Sequence, residues 1–355
     1  MKAKPKENWT QHQTQRAQSV TTPNVEDKPK ENGAQYQTTY KRNISSQKVI
    51  TFGIFDQDLW PGLLPEGLEE LKFKTEYTKK FQPGSLPIGL KTLDFEFTYE
   101  HEFDKDVLPT GLETLCIHMY HKQFDAGVLP SGLKKLVLGN GYNQKFGAGV
   151  LPIGLKKLVL GLGYNQKFGA DVLPSGLEEL TLEDYYNQIF GQGVLPIGLK
   201  KLVLGNGYNQ KFGADVLPSG LEELALGNNY NQEFGAGVLP IGLKKLALGY
   251  KYNNKFGADV LPSGLEELTL KNGFSGADVI PSGLKKLVLG DFYNQKFGEG
   301  VLPIGLKKLV LGNKYDQKFG QGVLPSGLEE LVLGNEYDQI FVAGVLPSGL
   351  EELVL

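Results

Sequence analysis

The side chains best suited to chemistry gather early in the chain, where His101, His118 and His121 stand close to Glu100, Glu102 and Asp104. Imidazole and carboxylate are ligands that zinc takes, and His101 and His121 fall on adjacent columns of adjacent repeats, which makes them the candidate metal pair. The plainer reading, degenerate positions of a repeat, assigns no metal and no cofactor. Serine recurs in Pro-Ser-Gly, but no histidine recurs at a matching period to act as its base, so triad chemistry has nothing to build from. Asp171, Asp215, Asp259 and Asp278 recur too, far more sparsely than the aspartates of a calcium roll, which come about every nine residues. An ice-binding face needs uninterrupted threonines, and here charge pairs flank the strip that would carry them. The residue types therefore point away from an enzyme and toward a binding surface.

The framework that positions these residues is a repeat. Fourteen prolines from Pro65 to Pro347 are spaced by 22 residues, apart from one gap of 21 and one of 19, between Pro262 and Pro281. Each opens a frame such as Pro152-Ile153-Gly154-Leu155-Lys156-Lys157-Leu158-Val159-Leu160, and Ile50-Thr51-Phe52 with Phe55-Asp56-Gln57 reads as a partial coil before the first. Strand alternation turns Leu158 and Leu160 to one side and Lys157 and Val159 to the other. Pro-x-Gly suits a turn, because proline fixes φ and glycine adopts conformations that other residues resist. Twenty-two residues cannot hold a strand, turns and a multi-turn helix together, so the return side, residues 164–172, is expected to be extended or at most a short strand. The sequence thus predicts a mostly β, helix-poor parallel β-solenoid over residues 49–355, with about 14 full coils and an N-terminal partial coil. One coil buries too little apolar surface to offset the cost of ordering it, so neighbours must share their core. With both sides of the coil thin, a nearly straight rod about 70 Å long is expected, at roughly 4.8 Å per strand.

Residues 1–48 differ in kind. They hold nine Lys or Arg against four Asp or Glu, with Trp9 the one large apolar side chain before Tyr36, and such a segment is expected to be a disordered basic tail. The whole chain of 355 residues carries a net charge of −3, so it offers no obvious attraction for nucleic acid or acidic membrane. Its single cysteine, Cys116, cannot form an internal disulfide and fits a reducing compartment. No apolar run is long enough for a membrane span or a signal peptide, which leaves a soluble cytoplasmic protein as the expectation.

Equivalent residues of successive coils stack, so each column reads as a ladder. Asn143, Asn165, Asn187, Asn209, Asn231 and Asn253 recur at a turn and predict an internal asparagine ladder, with amides bonding the next coil. Tyrosines from Tyr142 to Tyr337 and phenylalanines from Phe146 to Phe341 read as core stacks. Pairs just before the second leucine alternate in sign from Lys156-Lys157 through Glu178-Glu179 and Lys200-Lys201 to Lys285-Lys286. Opposite charges one strand apart attract and like charges repel, so the alternation sets register and denies phosphate a continuous positive track. Between these charges runs a strip of small residues, Val137, Val159, Thr181, Val203, Ala225, Ala247, Thr269, Val288 and Val310. It reads either as ordinary strand propensity or as a shallow groove for a protein partner. Leu350, Leu353, Val354 and Leu355 end the sequence in mid-strand, an edge at which a second copy could pair as a homodimer.

The frame Leu-Pro-x-Gly-Leu-x-x-Leu-x-Leu-Gly-x-x-Tyr-Asn-Gln-x-Phe resembles the FNIP repeat, a leucine-rich-repeat relative of slime moulds and giant DNA viruses, and the near-identical copies look most like giant-virus members. The likeness runs from about Val49 to the C-terminus, with Tyr142-Asn143-Gln144 where the family has Phe-Asn-Gln and Lys145 in place of its usual proline. It implies protein interaction, carries over no catalytic residue, and for a viral member implies the host cytoplasm or virus factory. Family members with an N-terminal F-box imply ubiquitin-ligase adaptor work, for which residues 1–48 are too short and too poor in leucine. The leading expectation is a non-enzymatic scaffold that binds a partner through the sheet face or the tail; self-assembly through the C-terminal coil is the alternative.

Overall fold

The computed structural model describes residues 46–272 and 280–355. The basic segment with Trp9 and Tyr36, and Asp278 of the recurrent aspartates, lie outside the described residues. The strands are β1 (Val49–Phe52), β2 (Glu70–Phe73), β3 (Thr92–Thr98), β4 (Thr114–Met119), β5 (Lys135–Leu138), β6 (Lys157–Leu160), β7 (Glu179–Leu182) and β8 (Lys201–Leu204). They continue with β9 (Glu223–Leu226), β10 (Lys245–Leu248), β11 (Glu267–Leu270), β12 (Lys286–Leu289), β13 (Lys308–Leu311), β14 (Glu330–Val332) and β15 (Glu352–Val354). All 15 lie in chain order in one parallel sheet, and no helix occurs among the described residues. The partial coil read from Ile50 and Phe52 is β1, with Ile50 opposite Leu71 and Phe52 opposite Phe73.

Register keeps each column true. Leu158 faces Leu180 and Leu180 faces Leu202, all fully buried, while Val159, Thr181 and Val203 lie in line on the other face. The shortened coil does not break this pattern, since Glu267 pairs with Lys286 and Leu268 with Leu287. The residues it lacks fall between Leu270 and Pro281 in the sequence, outside the strands; in a full coil the segment after the strand carries turns, as at Tyr164 N–H to Gly161 O (3.1 Å).

The aromatic columns are core stacks. The rings of Tyr164 and Tyr186 are 6.1 Å apart, Tyr186 and Tyr208 6.2 Å, and Phe103 and Phe124 6.3 Å, in each case with nearly parallel planes. Two aromatic side chains per coil thus fill the space behind the inward leucines.

The recurrent aspartates also find an explanation. Asp171, Asp215 and Asp259 have φ of 59°, 58° and 60°, at the turn position where other coils place Gly149, Gly193 and Gly237 with φ of 73° to 74°. Asparagine and aspartate are the side chains that tolerate this left-handed conformation best after glycine. Asp215→Gly is expected to leave the midpoint of urea unfolding unchanged or raise it slightly. Asp215→Val should lower stability by about 1–2 kcal/mol, because a β-branched side chain is strained there.

Candidate protein-interaction face

Lys157, Val159 and their counterparts point to solvent because the leucines beside them point inward. Every member of the predicted strip, Val137, Val159, Thr181, Val203, Ala225, Ala247, Thr269, Val288 and Val310, is half-buried on the outer sheet face. The strip is continuous from β5 to β13.

The flanking charges are largely spent on each other. Lys201 bonds Glu223 at 2.8 Å, Lys245 bonds Glu267 at 3.0 Å, and in the neighbouring column Lys244 bonds Glu222 at 2.7 Å. A hydrogen bond from Lys201 draws the Glu223 carboxyl below its ordinary range, and the bond to Glu222 raises Lys244. Each exposed pair contributes well under about 1 kcal/mol, so the ladder acts more on register than on stability. Like charges do meet at three steps, Lys135 with Lys157, Lys286 with Lys308 and Glu330 with Glu352.

Toward its N-terminal end the face deepens into a bay of about 340 Å³. β3 and β4 have 7 and 6 residues where most strands have 4, with a register shift between Phe95 and Thr98. The extra length stands Phe97 and Met119 up as a wall, 52% and 42% exposed. Val137 and Val159 form the floor, and Gly139 and Gly161 leave the neighbouring positions bare; Glu96 and His118 line one end and Glu183 the other. The strip reading found Val137 and Val159 but missed Phe97, Met119, Glu96 and Glu183. The alternations Leu93, Phe95, Phe97 and Leu115, Ile117, Met119, continuing past the usual last leucine, were the signal for the longer strands; Glu183, after a strand of ordinary length, had none.

Next to the bay, Cys116 lies in the strip between Asp94 and Val137. Burial, reinforced by the Asp94 carboxylate, pushes its thiol up to about 11, so it is a poor nucleophile at neutral pH. Asp94 is itself raised, mainly by burial. The candidate metal pair is not assembled. His101 Nε2 lies 2.6 Å from Thr78 O and His121 Nδ1 2.9 Å from Gly141 O, so one ring engages the preceding coil and the other the following one. Among the described residues no group of three His, Cys, Asp or Glu comes together.

The asparagine ladder exists, but outside the core. Asn165 N–H bonds Asn143 Oδ1 at 3.0 Å, Asn187 N–H bonds Asn165 at 3.0 Å, and the contacts continue through Asn209, Asn231 and Asn253, all on exposed residues. The interior is filled by the aromatic rings, which pushes the amides to the rim. Gln166 and Gln188 reinforce it by donating to the same oxygens at 3.2 and 3.1 Å. A second rail, unread in the sequence, runs from Asp184 through Asn206 to Asn228, with bonds of 2.9 and 3.0 Å. The isoleucines of the Pro-Ile-Gly turns form another exposed set, Ile153, Ile197 and Ile241 being 76%, 76% and 81% exposed.

Comparison with known proteins gives one family and a set of solved folds. The FNIP Repeat matches residues 55–97, 99–141, 142–185, 186–229, 230–273, 276–314 and 315–355. The giant-virus protein CroV588, described as a circular leucine-rich-repeat structure, is 33% identical with a TM-score of 0.77 over 87% of this chain. The chain spans about half of that structure, 50%. YopM from Yersinia enterocolitica (16% identity, TM-score 0.46, 93% of this chain and 78% of that one) also matches. So does an internalin from Listeria monocytogenes (17%, 0.48, 78% and 89%). No curated protein matches.

Proposed function

Since the chain belongs to the FNIP-repeat family of leucine-rich solenoids, we propose that it is a non-enzymatic scaffold that holds a protein partner against the outer face of its sheet. One observation carries the reading. The face is a single sheet of 15 parallel strands whose small apolar strip stays half-exposed while the charges beside it are mostly paired with one another. Apolar area on an open sheet gains from burial against a partner, whereas charges already paired gain little. The experiment places a photoreactive amino acid at Val203 on the face, or at Lys211 on the return side, in the full chain within its native cells. A defined protein crosslinked from position 203 and absent from position 211 supports the reading, and its loss on Val159→Asp would locate the contact. Equal labelling from both positions sinks it.

A further inference from the structure

We infer that the bay beside β3 and β4 docks an extended peptide segment of a protein partner, one that carries two lysine or arginine side chains about six residues apart with small apolar residues between them. The inference rests on the face being the partner surface and names the chemistry that one part of it selects.

Three observations define the occupant. First, the bay is apolar at its centre, with Val137 and Val159 as floor and Phe97 and Met119 as wall, and its volume of about 340 Å³ admits side chains rather than a folded domain. Second, its ends are acidic. Among the described residues neither Glu96 nor Glu183 makes an ion pair, in contrast to Glu179, Glu223 and Glu267, which are all bridged by lysines. Near Glu96, Lys72 is committed to Glu70 at 2.8 Å, and Asp94 keeps a buried carboxyl oxygen with no protein hydrogen-bond partner. His118 is the one other titratable side chain lining the bay. Lys135 stands on the same face two residues before Val137 and, among the described residues, forms no ion pair, so the field favours cations at the two acidic ends rather than over the floor. Third, the spacing fits an extended chain. Glu96 is on β3 and Glu183 follows β7, four strand steps or about 19 Å apart at about 4.8 Å per step, which six extended residues span at about 3.3 Å each. A peptide lying across the strands thus reaches both carboxylates while its middle covers the valine floor.

The full-length protein is used to select from displayed random dodecapeptides, and a selected peptide is resynthesised with a fluorophore for anisotropy titration. The expected winners carry paired Lys or Arg at that spacing. Glu96→Gln combined with Glu183→Gln should weaken binding at least about tenfold, since two charge-assisted contacts are lost. Phe97→Ala should weaken it severalfold, and Glu329→Gln, outside the bay, should change nothing. Because Glu96 and Phe97 are exposed and Glu183 only half-buried, circular dichroism of these variants should match that of the native chain. Winners without paired cations, or a double glutamine variant that binds as tightly as the native chain, overturn the proposal. Displacement of a winner by a synthetic peptide of residues 1–45 at lower concentration than the winner itself would also overturn it, by making the chain's own basic segment the occupant. If the bay fails while Val203 still traps a partner, the face reading stands alone.

Discussion

Raising the pH from 9 to 12 will unfold the array in a single steep step, with phenolate absorbance and the loss of the far-ultraviolet β signal moving together. Burial pushes the phenol groups of 12 tyrosines, Tyr77 to Tyr337, above their ordinary range. The unfolded chain ionises these groups near pH 10, while the folded chain keeps them protonated, so above that point the unfolded state binds fewer protons and stability falls as pH rises. The contribution is fully present below about pH 10 and is lost on the way to the raised folded values. Each buried tyrosine removes about 1.4 kcal/mol per pH unit, so the 11 that are buried (all but the half-buried Tyr337) together remove on the order of 15 kcal/mol per unit, as much as a whole domain has to lose. The tyrosine share is isolated by Tyr164→Phe, Tyr186→Phe and Tyr208→Phe together, which should move the midpoint upward. At neutral pH the same triple variant should be no less stable than the native chain, because these three hydroxyls are buried with no hydrogen-bond partner in the protein. A gradual phenolate rise near pH 10 with the sheet intact would show instead that water reaches the rings.

Leu202→Ala, in the middle of the array, is expected to cost about 3–5 kcal/mol, the range for a buried leucine whose cavity cannot collapse. Leu202 is completely buried between Leu180 and Leu224. Since each coil touches only its neighbours, a weak coil at β8 separates the array into two cooperative halves, and urea unfolding followed by circular dichroism should split into two transitions. Leu353→Ala removes the equivalent side chain on β15, where it is 38% exposed, and should cost less than about 1 kcal/mol with a single transition kept. Similar losses at the two positions would mean that the coils do not share their core in the way the register implies.

Much of this was legible in the sequence because stacking turns a period into a geometry. The Pro-x-Gly-Leu frame gave the strands, the inward leucines and the outward charges, and the shortened coil at Pro281 kept its register because the sheet residues were all present. The position of Asn143 was misjudged, since it depends on which side chains fill the interior: the rings took it, and the amides bonded at the rim. The bay could be read only where the repeat is least regular, from Phe97 and Met119 running on past the usual end of a strand.

The charge ladder also places a parity rule on how such a gene can grow. Recombination that adds or removes two coils, 44 residues in the regular stretch, leaves a junction of opposite charges wherever it occurs. An odd step leaves a junction of like charges, the kind present between β12 and β13, where Lys286 faces Lys308. Such a junction costs well under about 1 kcal/mol on an exposed surface, small enough to survive in a long array and to remain as a physical trace of an odd-numbered event.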